Sequence, residues 1–186
     1  MKSPCPSILL RTVIRHPLTD VTLFARQTES GPAVAGICFG LAKTLGRHRA
    51  RNSDSPQLRA WARCVCGFLS GSVQTLKELP LDFTGCSPFS KSVLVACQQI
   101  PYGATVSYAQ LAARAGHPRA VRAAASVMRK NRFPLAVPCH RVIAKNGQLG
   151  GFMGARTGKP LALKMALLEM ERKAPGFRSP TKNVAP

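Results

Sequence analysis

Cys139 and His140 stand side by side in the stretch AVPCHRVIAKNG, residues 136–147, with Arg141 directly behind them. A thiol next to an imidazole can be part of a metal site, a nucleophile with its helper, or a chance neighbour. As a nucleophile the cysteine has a difficulty to overcome. A free thiol has a pKa of about 8.5, so only a few per cent is thiolate at neutral pH. It needs a base, a positive field or a helix N-terminus. In a regular strand or helix, adjacent side chains point apart. His140 therefore serves Cys139 only through a tight turn at Pro138 or through a bridging water. The imidazole in turn needs an acceptor to orient it. From Phe83 to Arg172 the only carboxylates are Glu169 and Glu171, so a third member drawn from this region is one of those two.

The elements that would position this pair can be read from the apolar spacing. Val21–Arg26 and Ala33–Phe39 are expected strands, and Leu41–Ser55 a loop or weak helix. Ser55–Pro56 opens a helix carrying Leu58, Trp61, Val65 and Phe68 on one stripe, closed at Ser70–Gly71. Leu79–Cys86 has the turn residues of a linker. Ser87–Pro88 opens a second helix with Phe89, Val93, Cys97 and Ile100, broken at Pro101–Tyr102–Gly103. Ser107-x-x-Gln110 is a capping-box pattern for a short helix that stops at Gly116. His117–Pro118 opens another, reaching Lys130. Two short helices across a glycine-containing turn are a helix-turn-helix candidate.

The second of these helices has Val121, Ala125 and Met128 on an apolar stripe. Arg119, Arg122, Ser126 and Arg129 lie on a neighbouring basic one, and the small Ala123 and Ala124 permit close approach to a surface. An ordinary amphipathic helix with a solvated basic side would look the same. Phe133–Val137 is an expected strand leading into the Cys–His stretch. Asn146–Gly147 and Gly150–Gly151 mark turns. Pro160–Arg172 is a last helix with Leu161, Met165 and Leu168 on one side. The expected architecture is an α/β N-terminal domain (a small sheet plus a helix) over residues 1–82. A mainly helical domain with a helix-turn-helix follows over 83–172, and then a basic, disordered tail over 173–186.

Charge narrows the partner. Lys plus Arg is 27 against 7 Asp plus Glu, a net +20. No acidic residue falls between Asp82 and Glu169, and residues 83–168 carry twelve basic ones. Such a field favours a polyanion, and nucleic acid is the expected one. The seven cysteines are odd in number and include no C-x-x-C, which points to reduced thiols and no structural zinc. No apolar run approaches the roughly 18–20 residues that span a bilayer, so no membrane association is expected.

PCHRVI at 138–143 resembles the signature of the O6-alkylguanine-DNA alkyltransferases, also called methylated-DNA–protein-cysteine methyltransferases. The resemblance extends over IPYGATVSYAQLA (100–112), AGHPRAVRAAASVMRKN (115–131), GGFMG (150–154) and LLEME (167–171). It implies a single-use repair protein that binds double-stranded DNA in the minor groove and flips the damaged base. An alkyl group then passes irreversibly from guanine O6 to Cys139, with thymine O4 left open as a second substrate. By matching position, His140 is the water-linked base and Glu171 orients it, while Asn131 ties the helix-turn-helix to the active-site turn. Arg122 fills the space left by the flipped base. Tyr108 contacts both the guanine and its phosphate, and Arg119, Ser126 and Arg129 face the DNA.

Met128, Pro134, Val142, Phe152 and Met153 are the expected pocket residues. No cofactor and no metal are implied. A monomer is expected, cytoplasmic in a prokaryote and nuclear in a eukaryote. At the turn where the family has an aromatic followed by a small polar or basic residue, this chain has Phe152–Met153, and Ala155–Pro160 is longer than in some relatives. Both bear on which alkyl group is preferred. The competing readings are a non-catalytic sensor of alkyl lesions, a helix-turn-helix regulator and a cysteine hydrolase. The last is disfavoured by the basic field.

Overall fold

The computed structural model describes residues 8–46 and 48–173. The expected tail from residue 174 onward lies outside the described residues. The chain divides into two units. The first runs to Gly85 and takes in Arg132–Ala136, and the second comprises Cys86–Asn131 and the residues from Val137 onward.

The first unit is built on a four-stranded sheet in the order β3-β2-β1-β6. Strand β1 (Leu10–Ile14) pairs antiparallel with β2 (Val21–Thr28), and β2 antiparallel with β3 (Gly31–Phe39). β1 is central, and the sequence reading missed it. LRTVI offers no clear apolar–polar alternation, and its strand state comes from pairing on both sides. Residues 41–55 are not a weak helix. They hold three two-residue strands, β4 (Thr44–Leu45), β5 (His48–Arg49) and β6 (Arg51–Asn52), of which β6 pairs parallel with β1.

Val21–Ala25 is buried without a break, as expected of a strand covered on both faces. On one face Phe24 and Ala35 cluster with Leu9 and Ala50. Helix α1 (Pro56–Leu69) packs against β1 and β2. The stripe expected for it, Leu58, Trp61, Val65 and Phe68, is buried, each side chain contributing about 1.5–3 kcal/mol. Ser55 caps it by accepting the Leu58 N–H. Of the expected linker, the part up to Gly85 belongs to this unit, where Leu81 bridges Val34 and the Asp82 N–H donates to the Val34 carbonyl.

The second unit is helical. Helix α2 (Pro88–Gln98) packs with α3 (Tyr108–Arg114) and α4 (Val121–Arg129). Ser107 and Gln110 form the capping box that their spacing announced. Helix α4 begins at Val121, later than expected, because residues 118–119 still form a turn. Arg119 is therefore in the turn and not on the helix. Ala124 is fully buried in the helix packing, so it offers no small outer face, whereas Ala123 is exposed. A short parallel pair joins β7 (Val106–Ser107) to β8 (Val142–Ile143). The last helix, α5 (Lys159–Lys173), buries Lys164, Leu167, Leu168 and Glu171, while Met165 points outward at 55% exposure.

Phe133–Val137 is not a strand. Leu135 takes a left-handed φ of 72° while its side chain is buried, so the segment turns where a strand would continue. Among the described residues, no helix is long and apolar enough to cross a membrane.

Candidate active site

Pro138 ends the apolar run and starts a single 3-10 turn, Cys139–Arg141. A tight turn at Pro138 was one of the two arrangements, with a bridging water the other, that would let His140 serve Cys139. All three of its side chains are buried. The Cys139 N–H donates to the Val137 carbonyl at 2.7 Å. The Asn131 amide, just past the end of α4, donates to the same carbonyl at 2.9 Å. Asn131 therefore links the end of α4 to the residue before Pro138.

Behind the thiol lies a buried ionic network. His140 Nε2 lies 2.8 Å from Glu171 Oε1. Arg141 Nη2 donates to Glu171 Oε1 at 2.8 Å, and its Nε donates to Oε2 at 3.0 Å. The Gly103 N–H reaches Oε2 at 2.9 Å, which a left-handed φ of 75° at that glycine permits. Arg141 Nη1 donates to the Ile100 carbonyl at 2.6 Å, and the guanidinium stands over the Tyr102 ring. Glu171 is thus saturated with donors. Burial pushes its pKa up, but His140 and Arg141 outweigh burial and hold it down at about 2.

Burial lowers the pKa of His140, and Glu171 only partly offsets this, so the imidazole rests neutral and able to accept a proton. Burial raises the Cys139 thiol. Asn131, Lys164 and the backbone N–H groups of Cys139 and His140 work against that rise. The resting pair is therefore a thiol beside a neutral imidazole, with donors already placed for the thiolate.

In front of the thiol is an open cavity of about 720 Å³, within the range of small-molecule sites. Its lining includes Cys139, Tyr108, Met128, Arg129, Phe152 and Met153. Phe152 and Ala155 exchange backbone hydrogen bonds across a tight turn, and both central residues, Met153 and Gly154, have positive φ. The Tyr108 hydroxyl lies 3.5 Å from the Gly151 carbonyl, at the limit of a hydrogen bond. Of the expected pocket residues, Pro134 and Val142 do not line the cavity. Pro134 falls in the first unit, and Val142 is fully buried with its carbonyl accepting from Lys164. Arg122 is exposed in the first turn of α4, Arg129 is exposed at the cavity, Ser126 is half-buried and Arg119 is exposed in the preceding turn. Glu169 faces outward and pairs only with Lys173, 3.0 Å away.

Sequence reasoning gave no role to Arg141, Gly103 or Lys164. The first stands in the quoted motif, so its adjacency to Cys–His was the available signal. The other two reach the site only through tertiary packing.

The second unit thus sets a buried thiol between an open cavity and a histidine, a glutamate and an arginine. Comparison with known proteins identifies the family. The family model described as 6-O-methylguanine DNA methyltransferase, DNA binding domain, matches residues 88–173. A constitutive methylated-DNA–protein-cysteine methyltransferase of Bacillus subtilis is 39% identical over 121 residues, 65% of this chain and 70% of that one. A methylated-DNA–protein-cysteine methyltransferase of Methanothermobacter thermautotrophicus is 42% identical over 160 residues, 85% of this chain and 82% of that one. The crystal structure of Mycobacterium tuberculosis OGT in complex with DNA superposes with a TM-score of 0.71 at 29% identity, over 89% of this chain and 95% of that one. The chain belongs to the methylated-DNA–protein-cysteine methyltransferase family.

Proposed function

We propose that Cys139 is the acceptor in a direct-reversal DNA repair reaction in which each molecule acts once. The observation that carries this reading is the placement of a buried thiol between the cavity and the His140–Glu171–Arg141 network. As a member of its family the chain is a methyltransferase of direct-reversal repair. The substrate is double-stranded DNA carrying O6-alkylguanine. In a duplex the O6 substituent lies on the major-groove edge of a stacked, paired base, out of reach of a thiol buried in a protein seated in the minor groove, so the base must leave the helix. Helices α3 and α4 act as a helix-turn-helix against the minor groove. Arg122 enters the space that the base vacates, and Arg119, Ser126 and Arg129 meet the backbone. Tyr108 contacts the flipped guanine, and Met128, Phe152 and Met153 enclose it.

The chemistry is an in-line displacement. The Cys139 proton passes through a water to His140, whose imidazolium Glu171 stabilises. The thiolate attacks the alkyl carbon, the carbon–sulfur bond forms and the carbon–O6 bond breaks. The proton then returns to the departing guanine, which leaves neutral and repaired. The product is a thioether, and nothing in the chain cleaves it. The second unit carries the reaction, and the first accompanies it as the α/β part of the chain. The protein works as a monomer wherever the genome lies, in the cytoplasm of a prokaryote or the nucleus of a eukaryote. Mixing the protein with excess O6-methylguanine duplex and recording intact mass tests this. The expected result is a gain of one methyl per chain and loss of one lesion per chain. Continued turnover beyond one lesion, or no mass gain, rejects the reading.

A further inference from the structure

Residues 43–51 of the first unit read KTLGRHRAR, with four Lys or Arg, one His and no Asp or Glu. No acidic residue stands between Glu29 and Asp54. Strands β4 and β5 pair antiparallel in this stretch, and the chain runs on into β6 at the edge of the four-stranded sheet. The hairpin is fixed at several points. Ala50 is buried in the cluster with Leu9, Phe24 and Ala35, and Leu45 packs against that cluster. The Leu45 methyls close on Gly36 of β3, where an added Cβ would lie 2.7 Å from them. The Arg51 N–H donates to the Leu9 carbonyl at 2.9 Å, and the Ala50 N–H to the Lys43 carbonyl at 3.0 Å. Successive side chains of an extended chain alternate, so with Ala50 inward Arg49 and Arg51 face outward. Both are exposed, as is Lys43. Among the described residues these three cations have no side-chain hydrogen bond and no ionic partner. Elsewhere in the same unit Arg11, Arg15, Arg26, Arg59 and Arg132 each hold a carboxylate or a carbonyl.

Charge also guards an exposed sheet edge against pairing with another chain. Here the strands are only two residues long, which already blunts the edge, so guarding does not call for three uncommitted cations. We propose that the hairpin is a second DNA contact: Lys43, Arg49 and Arg51 meet the phosphate backbone of duplex DNA, apart from the helix-turn-helix assigned to the lesion. The proposal rests on the chain's binding DNA and not on which residue accepts the alkyl group. Its contacts are made to phosphate, so they add affinity for any duplex and no preference for sequence. Held in this way on undamaged DNA, the protein can slide along it in search of a lesion.

The test measures binding of the full chain to a long undamaged duplex against salt concentration. Lys43→Gln, Arg49→Gln and Arg51→Gln combined are expected to lower the slope of log affinity against log salt by about 2–3, since each phosphate contact contributes about 0.9. Arg63→Gln combined with Lys77→Gln removes two exposed cations of the same unit that lie off the hairpin, and is expected to leave the slope nearly unchanged. An unchanged slope in the triple variant, or the same fall per charge in the double one, overturns the proposal. Reaction of both variants with free O6-benzylguanine is expected to match wild type, which separates the fate of this proposal from that of the repair reading. A second measurement uses wild type alone. Phenylglyoxal modifies exposed arginines, and mass spectrometry locates the modified positions. The duplex is expected to slow modification of Arg49 and Arg51 several-fold and to spare Arg63. Equal modification of Arg49 and Arg51 with and without the duplex overturns the proposal.

Discussion

Glu171 accepts from His140, Arg141 and Gly103 at once, and no other carboxylate in the second unit is buried. Replacing it with Gln keeps the shape and removes the charge. Arg141 is then a buried cation without its counterion, a defect that typically costs about 3–5 kcal/mol. Glu171→Gln is expected to slow methyl transfer and to lower the urea midpoint markedly. Glu169→Gln, at an exposed pair with Lys173, is expected to change neither. Transfer kinetics and urea unfolding of the two variants check this.

The pH dependence follows with a definite sign. The folded pKa of Glu171 lies at about 2, below the ordinary carboxylate value. Its stabilisation is therefore fully present above the unfolded pKa and drains away as pH falls through that value toward 2. Acid unfolding of wild type is expected to steepen over this window and to flatten there in Glu171→Gln. Thermal melts between neutrality and strong acid give the comparison. The transfer rate should also fall once His140 is protonated. Because burial lowers that pKa, the fall comes below the usual histidine range.

At the scale of elements, the site is made where several segments converge: the turn after α2, the start of α3, the end of α4, the 3-10 turn, the Gly150–Gly154 loop and α5. Much of this was legible in the sequence. Ser55 and Ser107 announced helix starts through local side-chain bonds, and the Cys139–His140 pair marked the stretch without settling its chemistry. Counting narrowed the third member to Glu169 or Glu171, and only the family resemblance chose Glu171. The remainder is set by distance along the chain. The Gly103 N–H and Glu171 are separated by 68 positions, and no local pattern joins them. Lys164 entered the sequence reading only as one of twelve basic residues, and its burial is set by packing. Phe133–Val137 misled because its apolar run looks like a strand, while its turn depends on one left-handed residue, Leu135. The element-level prediction concerns α4. Arg122 is exposed in the first turn of α4 and is not among the residues lining the cavity, so Arg122→Ala is expected to leave the pocket intact. It is expected to slow repair of duplex DNA by an order of magnitude or more and to spare reaction with free O6-benzylguanine, because only the duplex requires flipping. Single-turnover rates on both substrates check it, and equal losses contradict the assigned role.

At the scale of the whole molecule, the net charge of +20 and the acid-free stretch from residue 83 to 168 set how it meets DNA. Phosphate contacts release counterions, so affinity is expected to fall steeply with salt. Such contacts carry little sequence information, and the minor groove adds a degenerate code. Binding of Cys139→Ala to unrelated duplexes at several salt concentrations is expected to give parallel, steep salt slopes. A strong preference for one undamaged sequence that persists at high salt would instead indicate a regulator. The central claim is narrower, namely that among seven cysteines one alone receives the alkyl group. Peptide mapping by mass spectrometry after reaction with an O6-methylguanine duplex tests it most directly. The methyl is predicted on the Cys139 peptide alone, with no methylation of any peptide in a folded, DNA-binding Cys139→Ala. A methyl on another cysteine, or transfer that survives in Cys139→Ala, would contradict it.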